Sequence, residues 1–190
     1  MTDTAQRLLS SATAAFAAKG FHGTTTRDIA TGAGVTPGAV YVHHKSKEDL
    51  LYCISKVGHE RTLELVRESA AGDGGPLGRM ATLVRNLVEW QAANYTSSHV
   101  VNFELPALSE EHRSDVLRLR GQVEDEFRRI VDDGLQQGVF DVPDASMAVV
   151  TLLSLCIDVA RWYRPGGRLS AADIGEHHSL MALRLLGAAG

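Results

Sequence analysis

Apolar residues along this chain recur at spacings of three and four, no stretch alternates apolar with polar, and Gly, Pro and Ser clusters interrupt the pattern at intervals. That periodicity predicts an all-α protein of about nine helices. In the first, roughly Thr4 to Lys19, Leu8, Leu9, Ala12, Ala15 and Phe16 share one stripe, and Gly20 supplies a natural C-cap. Thr25 opens a short second helix, with Asp28 in capping-box spacing and Ile29 buried, and "GAG" (Gly32 to Gly34) ends it. Thr36 is expected to cap a third, with Pro37 at its first position and Val35 stapled against Val40. Ser46 and Asp49 repeat the capping pattern for a fourth helix that runs to about Ala70.

"AGDGGPLG" (Ala71 to Gly78) reads as the strongest linker, and a second helical array follows over about 76–95, 97–108, 110–137, 143–163 and 170–187. The last helix opens on Ser170 and Asp173, again in capping-box spacing.

Three closely spaced helix starts within residues 25–51, with a tight glycine turn before the third helix, have the form of a helix-turn-helix. Val40 and His44 fall four apart and are expected to face inward, leaving Thr36, Pro37, Gly38, Ala39, Tyr41 and His43 toward solvent. Small side chains at 36–39 would let this helix approach base edges in a major groove. Tyr41, His43, Lys45 and Lys47 then form a phosphate-contacting set, joined by the N-terminal amides of the second and fourth helices; Thr25, Thr26 and Arg27 lie at the first of these.

Charge sharpens this picture. The net charge of −4 alone argues against a nucleic-acid partner, yet residues 1–56 carry six Lys or Arg against four Asp or Glu, whereas residues 57–190 carry thirteen against nineteen. The two parts differ in sign, as a DNA-contacting head and a separate acidic body would.

The stretch "AFAAKGFHGTTTRDIATGAGVTPGAVYVHHKSKEDLL" (Ala15 to Leu51) resembles the N-terminal DNA-binding domain of the TetR family of transcriptional regulators. The resemblance implies a three-helix DNA-binding domain over 1–51 and a helical ligand-binding and dimerisation domain over 52–190. It also implies a homodimer through the last two helices. One position departs from the family pattern: His44 stands where an aromatic residue is usual after "Y-x-H", and a histidine buried there needs a hydrogen-bond partner.

In the second part, Trp90, Tyr95, Phe103, Phe127, Met147 and Cys156 are either core or the lining of an effector cavity. "DVARWYRPGG" (Asp158 to Gly167) sets Arg161, Trp162 and Arg164 together at a helix end, suited to stacking on a base and neutralising phosphate, or else to capping a helix at a dimer interface. With the residues after it, this segment is similar to the ends of TetR-family repressors of fatty-acid and sterol breakdown that respond to acyl-CoA thioesters. The resemblance therefore implies a repressor on a palindromic double-stranded operator, released by an acyl-CoA. A TetR-type regulator of an efflux or stress operon answering a hydrophobic small molecule is the alternative.

Enzymatic chemistry has little support, since no nucleophile elbow, phosphate loop or dinucleotide fingerprint occurs and Glu104, Asp158 and His99 are the only loose candidates. A helical adaptor that binds no DNA is the other rival. No cofactor is expected. A metal site is not expected either: neighbours such as His43 and His44, or His177 and His178, diverge by about 100 degrees on a helix, and "H-E-x-x-H" is absent. Cys53 and Cys156 read as reduced thiols. No apolar run approaches the ~20 residues of a membrane span, and no signal-peptide pattern opens the chain, so a cytoplasmic protein without a membrane partner is expected.

Overall fold

A computed structural model describes residues 3–188. Among the described residues there are nine α-helices, one short 3-10 turn and no strand. The helices are α1 (Asp3–Gly23), α2 (Thr26–Ala33), α3 (Pro37–His43), α4 (Lys47–Ala70), α5 (Gly75–Ala93), α6 (Tyr95–Phe103), α7 (Glu110–Gln136), α8 (Ala145–Trp162) and α9 (Ala171–Leu185), with the 3-10 turn at Leu105–Ala107.

The predicted boundaries hold to within a few residues, with instructive exceptions. At Gly20 the backbone leaves helical geometry (φ 71°, ψ 166°) and then resumes for another turn to Gly23, so the expected stop is a kink. Thr36 does occupy the N-cap position of α3, but its hydroxyl makes no capping bond. The expected linker at 71–78 shrinks to a turn, because Gly74 and Gly75 both take positive φ and α5 already begins at Gly75, with Pro76 in its first turn. The break expected at Pro106 falls at Glu104, after which Pro106 sits inside the 3-10 turn.

Packing divides the chain into two compact units. The first unit takes the chain up to His59 together with Thr96–Arg118; the second takes Glu60–Tyr95 and the chain from Leu119 onward. Helices α4 and α7 thus contribute to both. The reason is where the apolar residues go. Leu50, Leu51 and Ile54 of α4 join a core with Leu8, Phe16, Ile29 and Val40, whereas Leu63 and Val66, further along the same helix, join a core with Met80, Leu83 and Phe127.

In the first unit, Leu8, Ala12 and Phe16 of α1 meet Ile29, Ala30 and Ala33 of α2, and Val100, Val101, Leu105 and Val116 close the cluster from the later segment. Truncating a fully buried aromatic such as Phe16 to alanine costs about 3–5 kcal/mol in sites of this kind. Close helix contacts rest on small residues: a Cβ at Gly58 of α4 would stand 2.4 Å from Val101 Cγ2 of α6. In the second unit Gly175 plays that part, since a Cβ there would meet Glu89 Cγ at 2.7 Å and the Arg85 carbonyl at 3.1 Å, bringing α9 against α5. Nearby, Arg85 Nε donates to Glu176 at 2.8 Å.

Helix α8 corrects the expectation about apolar length. It is long and apolar enough to match a bilayer by length and composition, the one helix of that kind among the described residues. Val149, Leu152, Cys156 and Val159 on one side are buried in the core of the second unit, while Met147, Val150, Leu155 and Trp162 are exposed.

Candidate nucleic-acid interface

Helix α2 begins with a complete capping box: the Thr25 hydroxyl accepts the Asp28 amide at 3.1 Å, and Asp28 Oδ2 accepts the Thr25 amide at 2.9 Å. Those bonds, with Lys19 Nζ at 3.3 Å, lower the Asp28 carboxyl to about 2. The first turn of α2 is therefore fixed, with Thr25 and Arg27 exposed and Thr26 half-exposed. Gly34, in the left-handed region (φ 68°), ends α2 and redirects the chain into α3, where only glycine avoids a steric penalty.

Helix α3 buries Val40 and turns its opening residues outward. Thr36, Pro37 and Gly38 are exposed and Ala39 is partly so. A Cβ added at Gly38 would meet nothing within 4 Å, and its φ is not positive. The fold therefore makes no demand for glycine there, although glycine in a helix costs roughly 0.5–1 kcal/mol relative to alanine. Tyr41 is 57% exposed, and its hydroxyl lies 3.4 Å from Thr26 Oγ1, linking α3 to the opening turn of α2. His43 and Lys45 are exposed as expected.

Two positions behave in ways the sequence could not reveal. Lys47 Nζ donates to the Phe21 carbonyl at 2.6 Å and the Thr24 carbonyl at 2.7 Å, and it sits 4.1 Å from the centre of the Phe21 ring. Its charge locks the start of α4 onto the end of α1. Val42, absent from the expected set, is 79% exposed on the same side as Gly38, four residues earlier. Its apolar character hid it, because sequence patterning assigns valine to a core.

Helix α4 is tied to the later segment of the first unit by a polar ladder. Glu48 accepts the Ser109 amide at 2.9 Å and faces His112 Nδ1 at 2.8 Å, and the His112 ring stacks on Tyr52 at 3.8 Å between centroids. One turn on, the Tyr52 hydroxyl donates to Asp115 at 2.6 Å, and Lys56 approaches the same carboxylate at 3.2 Å. With Arg118 also donating, these partners hold the Asp115 carboxyl well below its ordinary range, and Asp115 in turn pushes the Tyr52 phenol up.

The aromatic and arginine residues expected to meet an effector stand in different local settings. Phe127 is fully buried in the core of the second unit, a packing position. Trp90 is 36% exposed, and Tyr95 meets Tyr163 edge-on at 6.2 Å. Arg161 lies 3.7 Å from Asp158, Trp162 is 48% exposed, and Arg164 donates to the carbonyls of Arg161 and Tyr163. Phe103 belongs to the first unit, 5.2 Å from His99. Met147 is exposed and Cys156 is buried, with burial pushing its thiol up to about 12. A cleft of about 410 Å³ in the second unit is lined mainly by charged residues, among them Arg67, Arg79, Glu126, Arg129 and Asp133.

An eight-residue helix, a glycine turn and a short helix with small outward residues, set beside cationic and hydroxyl side chains, define a helix-turn-helix DNA-binding protein. Comparison with known proteins gives the family. Residues 73–186 match the tetracyclin repressor-like C-terminal domain, and residues 8–52 match bacterial regulatory proteins of the tetR family; the chain belongs to the TetR family of transcriptional regulators, which are not enzymes. It is similar to a tetR-family regulatory protein from Rhodococcus RHA1, 36% identical over all of both chains with a TM-score of 0.95. It is also 30% identical over 184 residues to the repressor KstR2 of Mycolicibacterium smegmatis, covering 93% of this chain and 87% of the relative. The fold is shared with AibR, solved with isovaleryl coenzyme A and operator DNA, at 21% identity and a TM-score of 0.88 over 98% of this chain and all of that one.

Proposed function

We propose that this regulator is a homodimeric repressor that binds a palindromic operator through α3 and is released by an acyl-CoA thioester. The observation that carries the DNA reading is the opening turn of α3, where Thr36 to Ala39 face outward and glycine stands without a structural need. In this reading Thr36 to Ala39 and Val42 meet base edges, while Thr25, Thr26, Arg27, Tyr41, His43 and Lys45 contact phosphate and sugar. Lys47 acts from behind by fixing the α4 amides. Because these cations neutralise phosphates, affinity falls as salt rises, with a slope set by how many contacts each subunit makes.

Residues 1–51 hold the DNA-reading function, and 52–190 hold effector binding and dimerisation. The exposed apolar side chains Met147, Val150, Leu155 and Trp162 of α8, with Leu180 of α9, support a dimer through the last two helices. Such a dimer would place two recognition helices about one DNA turn apart, ~34–36 Å. The effector class rests on Asp158–Gly167, whose Arg161, Trp162 and Arg164 suit a nucleotide-bearing thioester, and on AibR, which shares the fold and was solved with isovaleryl coenzyme A. Release requires that the effector bind better to the conformation that cannot hold DNA. The ladder from Glu48, Tyr52 and Lys56 to His112 and Asp115 offers a route, because moving 109–115 moves α4 with it. The regulator would work in the cytoplasm, where its DNA is.

The test is fluorescence anisotropy on DNA from upstream of the protein's own gene, with acyl-CoA thioesters of graded chain length added to the complex. Specific binding released by one thioester class is expected. DNA binding unmoved by every thioester overturns the effector; no specific binding overturns the operator reading.

A further inference from the structure

Beneath the end of α3 three different donor atoms point at one spot. His44 is the C-cap of α3, and its extended backbone (φ −137°, ψ 131°) turns the ring back toward α4. Its Nδ1 lies 3.0 Å from Asp49 Oδ2 and 4.0 Å from Cys53 Sγ. Asp49 and Cys53 stand four apart on α4 and so share a face, and all three donors fall within 4.8 Å of one another.

Ordinary explanations of this cluster fail on its details. A catalytic relay would set the thiol and the carboxylate on opposite nitrogens of the imidazole, whereas both approach Nδ1. Packing does not call for histidine either. The residue is 8% exposed, and among the described residues its Nε2 is buried without a hydrogen-bond partner, a desolvation cost that an apolar ring would avoid. Charge points the same way. Among the described residues the Asp49 carboxylate has no lysine or arginine within ion-pair distance, Lys56 is engaged with Tyr52 and Asp115, and Glu48 is engaged with His112.

We propose that His44, Asp49 and Cys53 bind one thiophilic divalent cation, Zn(II) foremost, which staples the end of the recognition helix to the first turns of α4. Nitrogen, carboxylate oxygen and sulphur together suit zinc, and three protein ligands leave a fourth position for water. Tetrahedral coordination at ordinary bond lengths sets donors roughly 3.3–3.7 Å apart. The sulphur therefore closes in by about an ångström, a rotamer adjustment of a half-buried side chain. Asp49, 26% exposed, provides the entry side. Binding displaces the thiol proton, so affinity rises with pH. Helical divergence rules out His43 with His44 as a pair, but it leaves His44 free to join ligands from the next helix.

The experiment uses the untagged full-length chain, stripped with chelator and titrated with Co(II) as a spectroscopic stand-in for Zn(II). A thiolate-to-cobalt charge-transfer band saturating at one equivalent per chain is expected. The band is lost in Cys53→Ser and kept in Cys156→Ala. His44→Phe, which fills the position with an apolar ring, keeps its helical circular dichroism and loses roughly tenfold or more in affinity. Zn(II) raises the thermal midpoint of the wild type and of a His177→Ala, His178→Ala double variant, but not of His44→Phe. No charge-transfer band, a band that survives Cys53→Ser, or an equal Zn(II) shift in His44→Phe overturns the proposal.

Discussion

Replacing Gly38 with alanine separates what the fold needs from what its partner needs. Gly38 lies in the first turn of α3 with helical φ, and an added methyl would meet no atom of the protein within 4 Å. Alanine should therefore stabilise the head by about 1 kcal/mol through helix propensity alone. For a chain of this size that raises the melting midpoint by roughly 2–4 °C. If α3 lies in a major groove at this turn, the same methyl intrudes on base edges. A misread base pair costs ~1–3 kcal/mol, so affinity should fall by roughly 5- to 150-fold per half-site. Differential scanning fluorimetry and anisotropy on one preparation read both effects. A raised midpoint with operator affinity changed less than twofold would refute the placement of α3. A midpoint that fails to rise would show that the packing around Gly38 has been misjudged.

Three further outcomes follow from the same geometry. Leu155→Glu on the exposed face of α8, where 42% of the residue is open, should convert the proposed dimer to monomer in sedimentation and abolish operator binding without loss of helicity. A thiol reagent at neutral pH should label half-buried Cys53 slowly and leave Cys156, whose thiol sits near 12, unmodified until unfolding; prompt labelling of both would contradict the core of the second unit. The capping carboxylates Asp28 and Asp173 are both lowered in the folded chain, so their contribution is present above the ordinary value of 3.8 and is lost as pH falls, through about 2 for Asp28. Asp28→Asn should then make acid unfolding shallower between pH 4 and 2, and an unchanged acid limb would remove the capping box from that role.

The helices, two of their capping boxes and the helix-turn-helix were legible in the residues alone. Local physics suffices there: periodicity selects helix, Thr25 with Asp28 and Ser170 with Asp173 mark starts, and Gly34 marks a stop, because each depends on residues within one turn. The outward set at Thr36 to Ala39 was legible for the same reason, since one buried anchor, Val40, fixes the phase of a short helix. Val42 escaped, as exposure of an apolar residue leaves no trace in the pattern.

What distant segments do to one another was settled by packing. That residues 96–118 pack with the head, that Lys47 is tied to the end of α1, and that Tyr52 stacks on His112 all depend on contacts across 20 or more positions. The meeting of His44 with Asp49 and Cys53 is shorter in sequence but no more visible. It turns on the extended backbone at one cap residue, which swings a histidine off its own helix and under the next. Spacing along a helix fixes which face a residue takes, while the company on that face is chosen by packing between helices.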